Sequence, residues 1–142
     1  MTPAIITQGG VRQALEALLS TLVGAGDINL ESAALYLPKA NTPYVSGRIS
    51  AYTRVPMGVG YPTPCEVNGM YQINVNRPAI EGADMAASVA ARVVALFQRG
   101  TALVLTTGPV LTVLQAGEQP LITAGDWLTV PVVVSFSGAE GI

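Results

Sequence analysis

The stretch from Gly69 to Gly100, GMYQINVNRPAIEGADMAASVAARVVALFQRG, constrains the fold more than any other part of the sequence. Tyr71, Ile73 and Val75 alternate with Gln72, Asn74 and Asn76, the period of a strand with one buried face. Pro78 predicts the end of that strand, because proline has no N–H for a sheet ladder. Gly82 then opens a helix to about Arg99. On that helix Asp84, Ser88 and Arg92 form a single polar stripe, while nearly everything else from Met85 to Phe97 is apolar. A helix covered on one side only shows a wider polar face, so this one is expected to be covered on both.

The charge content points the same way. Only 11% of the 142 residues are charged, against about 25% in an average domain. Seven basic and nine acidic side chains cannot clothe a monomer of this size, and a net charge of −2 gives weak mutual repulsion. Much of the surface is therefore expected to be buried against other subunits. The alternative is a monomer covered by Ser, Thr, Gln, Asn and Gly.

Catalysis finds few candidates. The sequence has no histidine, which removes the commonest general base and metal ligand. Cys65 is the only cysteine, with no histidine to activate it and no partner for an intrachain disulfide. Lys39 is the only lysine, and nothing supports a Ser–Lys dyad. Glu81 and Asp84 are read as partners of a helix dipole, with Arg92 and Arg99 towards the other end. No cluster has metal-site spacing, no basic run marks a nucleic-acid surface, and no apolar run approaches a membrane span. The N-terminus lacks the pattern of a secretory signal, so a soluble intracellular protein is expected.

Along the chain, residues 1–7 read as an arm and Gln8 to Val23 as a helix with Val11, Leu15, Leu18, Leu19 and Leu22 on one face. Asp27 to Glu31 reads as a loop, Ala33 to Leu37 as a short strand and Tyr44 to Val55 as a long one. On the long strand Arg48, Tyr52 and Arg54 are expected to share a face, where they meet a neighbouring subunit, Glu side chains or a phosphate or carboxylate. Pro56 to Asn68 reads as a long Gly/Pro-rich loop; Gly58 and Gly60 do not make it a phosphate loop, because it opens no helix. Strands follow at 102–105, 110–114 and 127–136, separated by the 106–109 turn and a 115–124 loop. Pro131 marks the last strand as an edge or a bulge. Residues 137–142 read as a tail. This order predicts one α+β domain over residues 1–142, a mainly antiparallel β-sheet with two α-helices packed on one face.

Several features together resemble the phage tail terminator family. They are the leucine-rich first helix, the Asn41–Thr42–Pro43–Tyr44–Val45 lead-in, and Gly69-x-Tyr71-x-Ile73-x-Val75 before a glycine-containing turn. An Ala-rich helix ending in Phe97-x-x-Gly100 and a Trp127-x-x-x-Pro131-Val132 strand complete the match. The 56–68 loop departs from the pattern. The resemblance implies a homohexameric ring without catalysis or cofactor, in the virion tail or neck, assembled in the host cytoplasm. One ring face would meet the tail tube protein and the other the head–tail connector, stopping tube polymerisation, with the genome passing through the ring and no specific nucleic-acid binding. Another neck or tail-completion role is the nearest alternative; a ligand-binding or enzymatic α+β domain is the more distant one. Candidate contact residues are Asn41, Tyr44, Arg48, Tyr52, Arg54, Met57, Val59, Tyr61, Gln72, Asn74, Arg77, Asp84, Arg92 and Trp127.

Overall fold

Two long strands that pair without interruption over thirteen positions, from Glu66–Ala139 to Pro78–Trp127, form the spine of the molecule. In this computed structural model, which describes residues 5–22, 24, 26–31, 42–59 and 63–140, they are β3 (Cys65–Pro78) and β7 (Trp127–Ala139). Around them lie α1 (Gln8–Leu19), β1 (Asp27–Leu30), β2 (Tyr44–Pro56), α2 (Ala83–Leu96), β4 (Ala102–Val104), β5 (Val110–Glu118) and β6 (Ile122–Ala124). The sheet order is β1-β2-β3-β7-β5-β4, with β6 paired to β7. Every pairing is antiparallel except β1 with β2.

The alternation read in the sequence sets the core. Tyr71, Ile73 and Val75 on β3 lie opposite Val134, Val132 and Val130 on β7, and all six are buried. Val11, Leu15 and Leu19 of α1 and Ala86, Val89, Ala90 and Val93 of α2 share that single hydrophobic cluster. Thr7 caps α1 by accepting a hydrogen bond from the Gly10 N–H at 3.0 Å. The helix ends at Leu19, short of the expected Val23, with Ser20 donating back to the Glu16 carbonyl at 2.7 Å.

Several boundaries differ from expectation, each for a local reason. Asp27–Leu30 is a strand, because the Asp27 N–H donates to the Pro43 carbonyl at 3.0 Å and parallel pairing follows. The expected strand at 33–37 lies outside the described residues. The 56–68 loop shrinks to the segment between Pro56 and Cys65, since Glu66, Val67 and Asn68 pair with Val55, Arg54 and Thr53. Residues 137–139, expected as tail, continue β7, and Glu140 is buried.

The strand Trp127–Phe136 is not an edge; it lies inside the sheet between β3 and β5. Pro131 is tolerated because its carbonyl accepts from the Gln119 N–H at 2.8 Å. Its ring nitrogen therefore points to the same side, into the gap between the end of β5 and the start of β6, where no strand needs a donor.

Tyr71 combines good packing with a polar cost. Its hydroxyl is buried and has no hydrogen-bond partner among the described residues. Burial raises its pKa above the usual phenol value, and the Glu16 and Glu31 carboxylates add to that against Arg12. The hydroxyl lies over Gly47, where an added Cβ would collide with it and approach Leu19 Cδ2 to 2.9 Å. Tyr71→Phe is expected to keep the ring contacts and stabilise the fold by about 1 kcal/mol, read as a higher urea midpoint.

Candidate assembly interface

One extra residue on β2 reorganises the candidate surface. A bulge between Ile49 and Ala51 inserts Ser50 into the ladder. Before it, Tyr44, Ser46 and Arg48 stand opposite Asn76, Asn74 and Gln72, on the face away from the buried cluster. After it, Tyr52 and Arg54 stand opposite Gly69 and Val67, on the core side. Arg48 therefore does not share a face with Tyr52 and Arg54, because the inserted residue reverses the alternation.

On the outer face the strand polar groups satisfy one another. Gln72 Nε2 donates to Asn74 Oδ1 at 3.0 Å, Asn76 Nδ2 to the Asn74 carbonyl at 3.2 Å, and Thr129 Oγ1 to Asn76 Oδ1 at 2.8 Å. Gln72 and Asn74 are half-buried, and Asn76 is only 8% exposed. Tyr44 and Trp127 close this end with an edge-on ring contact, centroids 5.4 Å apart. Arg77, one of the expected contact residues, is buried instead, its Nε held by Glu81 at 2.6 Å.

On the core side Arg54 meets a Glu side chain, one of the partners expected for it, within a wider network. Its Nη1 donates to the Ile6 carbonyl at 2.7 Å, and its Nη2 reaches Glu140 Oε2 at 2.7 Å. The same carboxylate accepts from the Ile6 N–H at 2.8 Å and the Cys65 N–H at 2.9 Å. The Glu140 N–H donates to the Cys65 carbonyl at 2.9 Å. Burial raises the Glu140 pKa, but the two amides and the Arg54 guanidinium outweigh it and hold it below the usual carboxylate value. A signal for this site existed: the buried parity of β7, continued past Gly138, puts Glu140 on the core side, where a carboxylate must find partners.

Besides Ile80, Met85, Leu121 and Ile122, the exposed apolar surface falls in three places. Val55 (47% exposed), Met57 (48%) and Val59 (104%) mark the β2–β3 tip, with Ile5, Val104 and Val110 towards the same end of the sheet. Met70 and Leu114 line a shallow outer-face groove of about 280 Å³. A larger groove of about 470 Å³ runs between α2 and β5, with Ala91, Val94 and Ala95 on one wall and Leu114 and Ala116 on the other. On α2, Asp84, Ala87, Ser88, Ala91, Arg92 and Ala95 are all exposed in the single chain. Asn41 and Tyr61 lie outside the described residues. No helix among the described residues is long and apolar enough to cross a membrane.

The fold is mixed, two helices with a mostly antiparallel sheet. The family model described as "Phage tail terminator protein" matches residues 10–136, and the chain belongs to that family. A solved structure whose title states no function is similar over 94% of this chain and 96% of its own, at 21% identity and a TM-score of 0.75. A chain from the virion of a native gene transfer agent particle is similar over the same shares, at 18% identity and a TM-score of 0.57. No curated protein matches. Family membership supports a structural role in a phage tail.

Proposed function

We propose that this chain forms a homohexameric ring that caps the tail tube, ends its polymerisation and provides the joint to the head connector. The reading has both helices on one face of the sheet and the tail tube protein and connector docked at opposite ends of the ring, with the genome passing through its centre. It assigns no catalysis and no cofactor. The observation that carries it is the exposed Ala87–Ala91–Ala95 side of α2 beside an open groove, in a chain with 11% charged residues. Bare alanines at four-residue spacing allow close approach of another subunit. The apolar tip at Met57 and Val59 supplies a surface for the next layer.

Light scattering after size exclusion, electron micrographs, and tube lengths measured with and without the protein test the reading. Tubes that grow without limit in its presence overturn it. Ala91→Glu is expected to leave the melting temperature within about 2 °C, since the position is exposed, and to abolish ring formation. If rings persist in that variant, α2 is not part of the subunit contact.

A further inference from the structure

We infer that neighbouring copies join edge to edge, β1 of one copy adding antiparallel to the free upper part of β5 in the next, so that the sheet continues from subunit to subunit. This rests on the ring reading above and specifies its lateral contact.

The β5 edge is covered only in part. β4 pairs with Val110–Thr112, and Val113 bonds to Thr101 and Gly100 at 2.9 and 2.8 Å. Beyond the bulge at Leu114 that cover ends. The Gln119 N–H points to β7, at the Pro131 carbonyl, so strand alternation turns the backbone groups of Ala116 and Glu118 outward. No described residue bonds to them. At the opposite edge of the sheet the Asp27 N–H points to β2, which turns the backbone groups of Ile28 and Leu30 outward, again with no bond from a described residue. Each edge thus presents two N–H and two C=O groups with the same two-residue spacing, the condition in which a strand edge captures another.

Direction and facing agree as well. β1 runs parallel to β2, and β2, β3, β7 and β5 alternate in direction, so β1 and β5 run oppositely within one copy. In a ring whose axis lies along the strands, an incoming β1 meets β5 antiparallel without the copy being turned over. Ile28 and Leu30 stand level with Val45 and Gly47, and Ala116 and Glu118 with Val134 and Val132, all on the core side. Pairing Leu30 with Ala116 and Ile28 with Glu118 keeps the helices of both copies on the same side. The 470 Å³ groove then lies where the side chains of the incoming β1 and α1 arrive. Arg99 and Glu118 flank that groove, and the incoming edge brings the Arg12–Glu31 ion pair, so the four charges can join in one network of alternating sign. Two different edges meeting head to tail make a heterologous contact, the kind that closes into a ring.

In this register Asn29 and Gly117 form a close, non-hydrogen-bonded pair, about 4.5 Å between Cα atoms and within disulfide reach. A Cβ at Gly117 meets nothing within 4 Å. The full chain carrying Asn29→Cys, Gly117→Cys and Cys65→Ser is expected, after mild oxidation, to give a ladder of covalent multimers on non-reducing gels. Either new cysteine alone should stop at dimers. Ala116→Pro removes one outward N–H and leaves the β7 ladder untouched, so it should fold as the parent does and need at least a roughly tenfold higher concentration to assemble. Rings that form in micrographs without the covalent ladder, and that survive Ala116→Pro, overturn the edge pairing while leaving the ring reading intact. A parent chain that fails to assemble, alone and with tubes, overturns both.

Discussion

Replacing Glu140 by alanine is expected to lower the stability of the fold by about 3 kcal/mol, or about 10 °C in melting temperature. The loss comes from what is left behind. Two amide donors, from Ile6 and Cys65, would lose their acceptor in a site where the carboxylate side chain is 3% exposed. Each such stranded donor costs about 1–3 kcal/mol. Arg54 is 44% exposed and can turn to water, so Arg54→Ala is expected to cost less than Glu140→Ala. The pH dependence has a fixed sign. The folded pKa of Glu140 lies below its ordinary 4.5, so its contribution is fully present above about that pH and is lost as pH falls through the lower, folded value. Acid unfolding monitored by circular dichroism should show that component in the parent and not in Glu140→Ala. Equal acid sensitivity of the two proteins would remove the carboxylate from this role.

Gly69→Ala is the second large loss, at least about 3 kcal/mol measured by urea unfolding. A Cβ at this position would collide with the backbone carbonyl of Ala51 and come within 2.6 Å of Phe136 Cζ. Phe136 is buried opposite Gly69, so its ring lies across β3 in the space the glycine leaves. Trimming the ring with Phe136→Leu in the same chain should recover only part of the loss, because the Ala51 carbonyl belongs to the backbone and cannot be trimmed. Full recovery would mean that the backbone yields at this point.

These two sites also show what the sequence made legible. The alternation of Tyr71, Ile73 and Val75, and of Leu128 through Phe136, identified both as strands, because period-2 burial is a local property of a half-buried strand, but did not show that the second is central. The leucine spacing of α1 and the alanine-rich run of α2 were readable for the same reason at the helical period. The bulge at Ser50 was not readable. It depends on what β3 offers opposite, and it placed Tyr52 and Arg54 on the wrong side in the sequence reading. Pro131 was read as marking an edge or a bulge; the edge fails here because the neighbouring strand is interrupted beside it. Of the candidate contacts, Met57, Val59, Asp84 and Arg92 are exposed in the single chain, and Arg77 is buried in an ion pair with Glu81. The free edge of β5 could not be seen from sequence, since it exists only through the shortness of β4, at three residues.

The contact between Ile6 and Glu140 spans 134 positions of chain. It closes that length of chain into a loop held by reversible bonds rather than a covalent one. Loop-closure entropy grows with the logarithm of loop length, so such a contact forms late, after the sheet has brought its ends together. By the same token it opens early. The closure also anchors the segment leading into α1, so a transient release at Glu140 frees that segment and the start of the helix together. In this fold the kinetic weak point therefore lies where the first helix is fastened to the last strand, away from the long central pair.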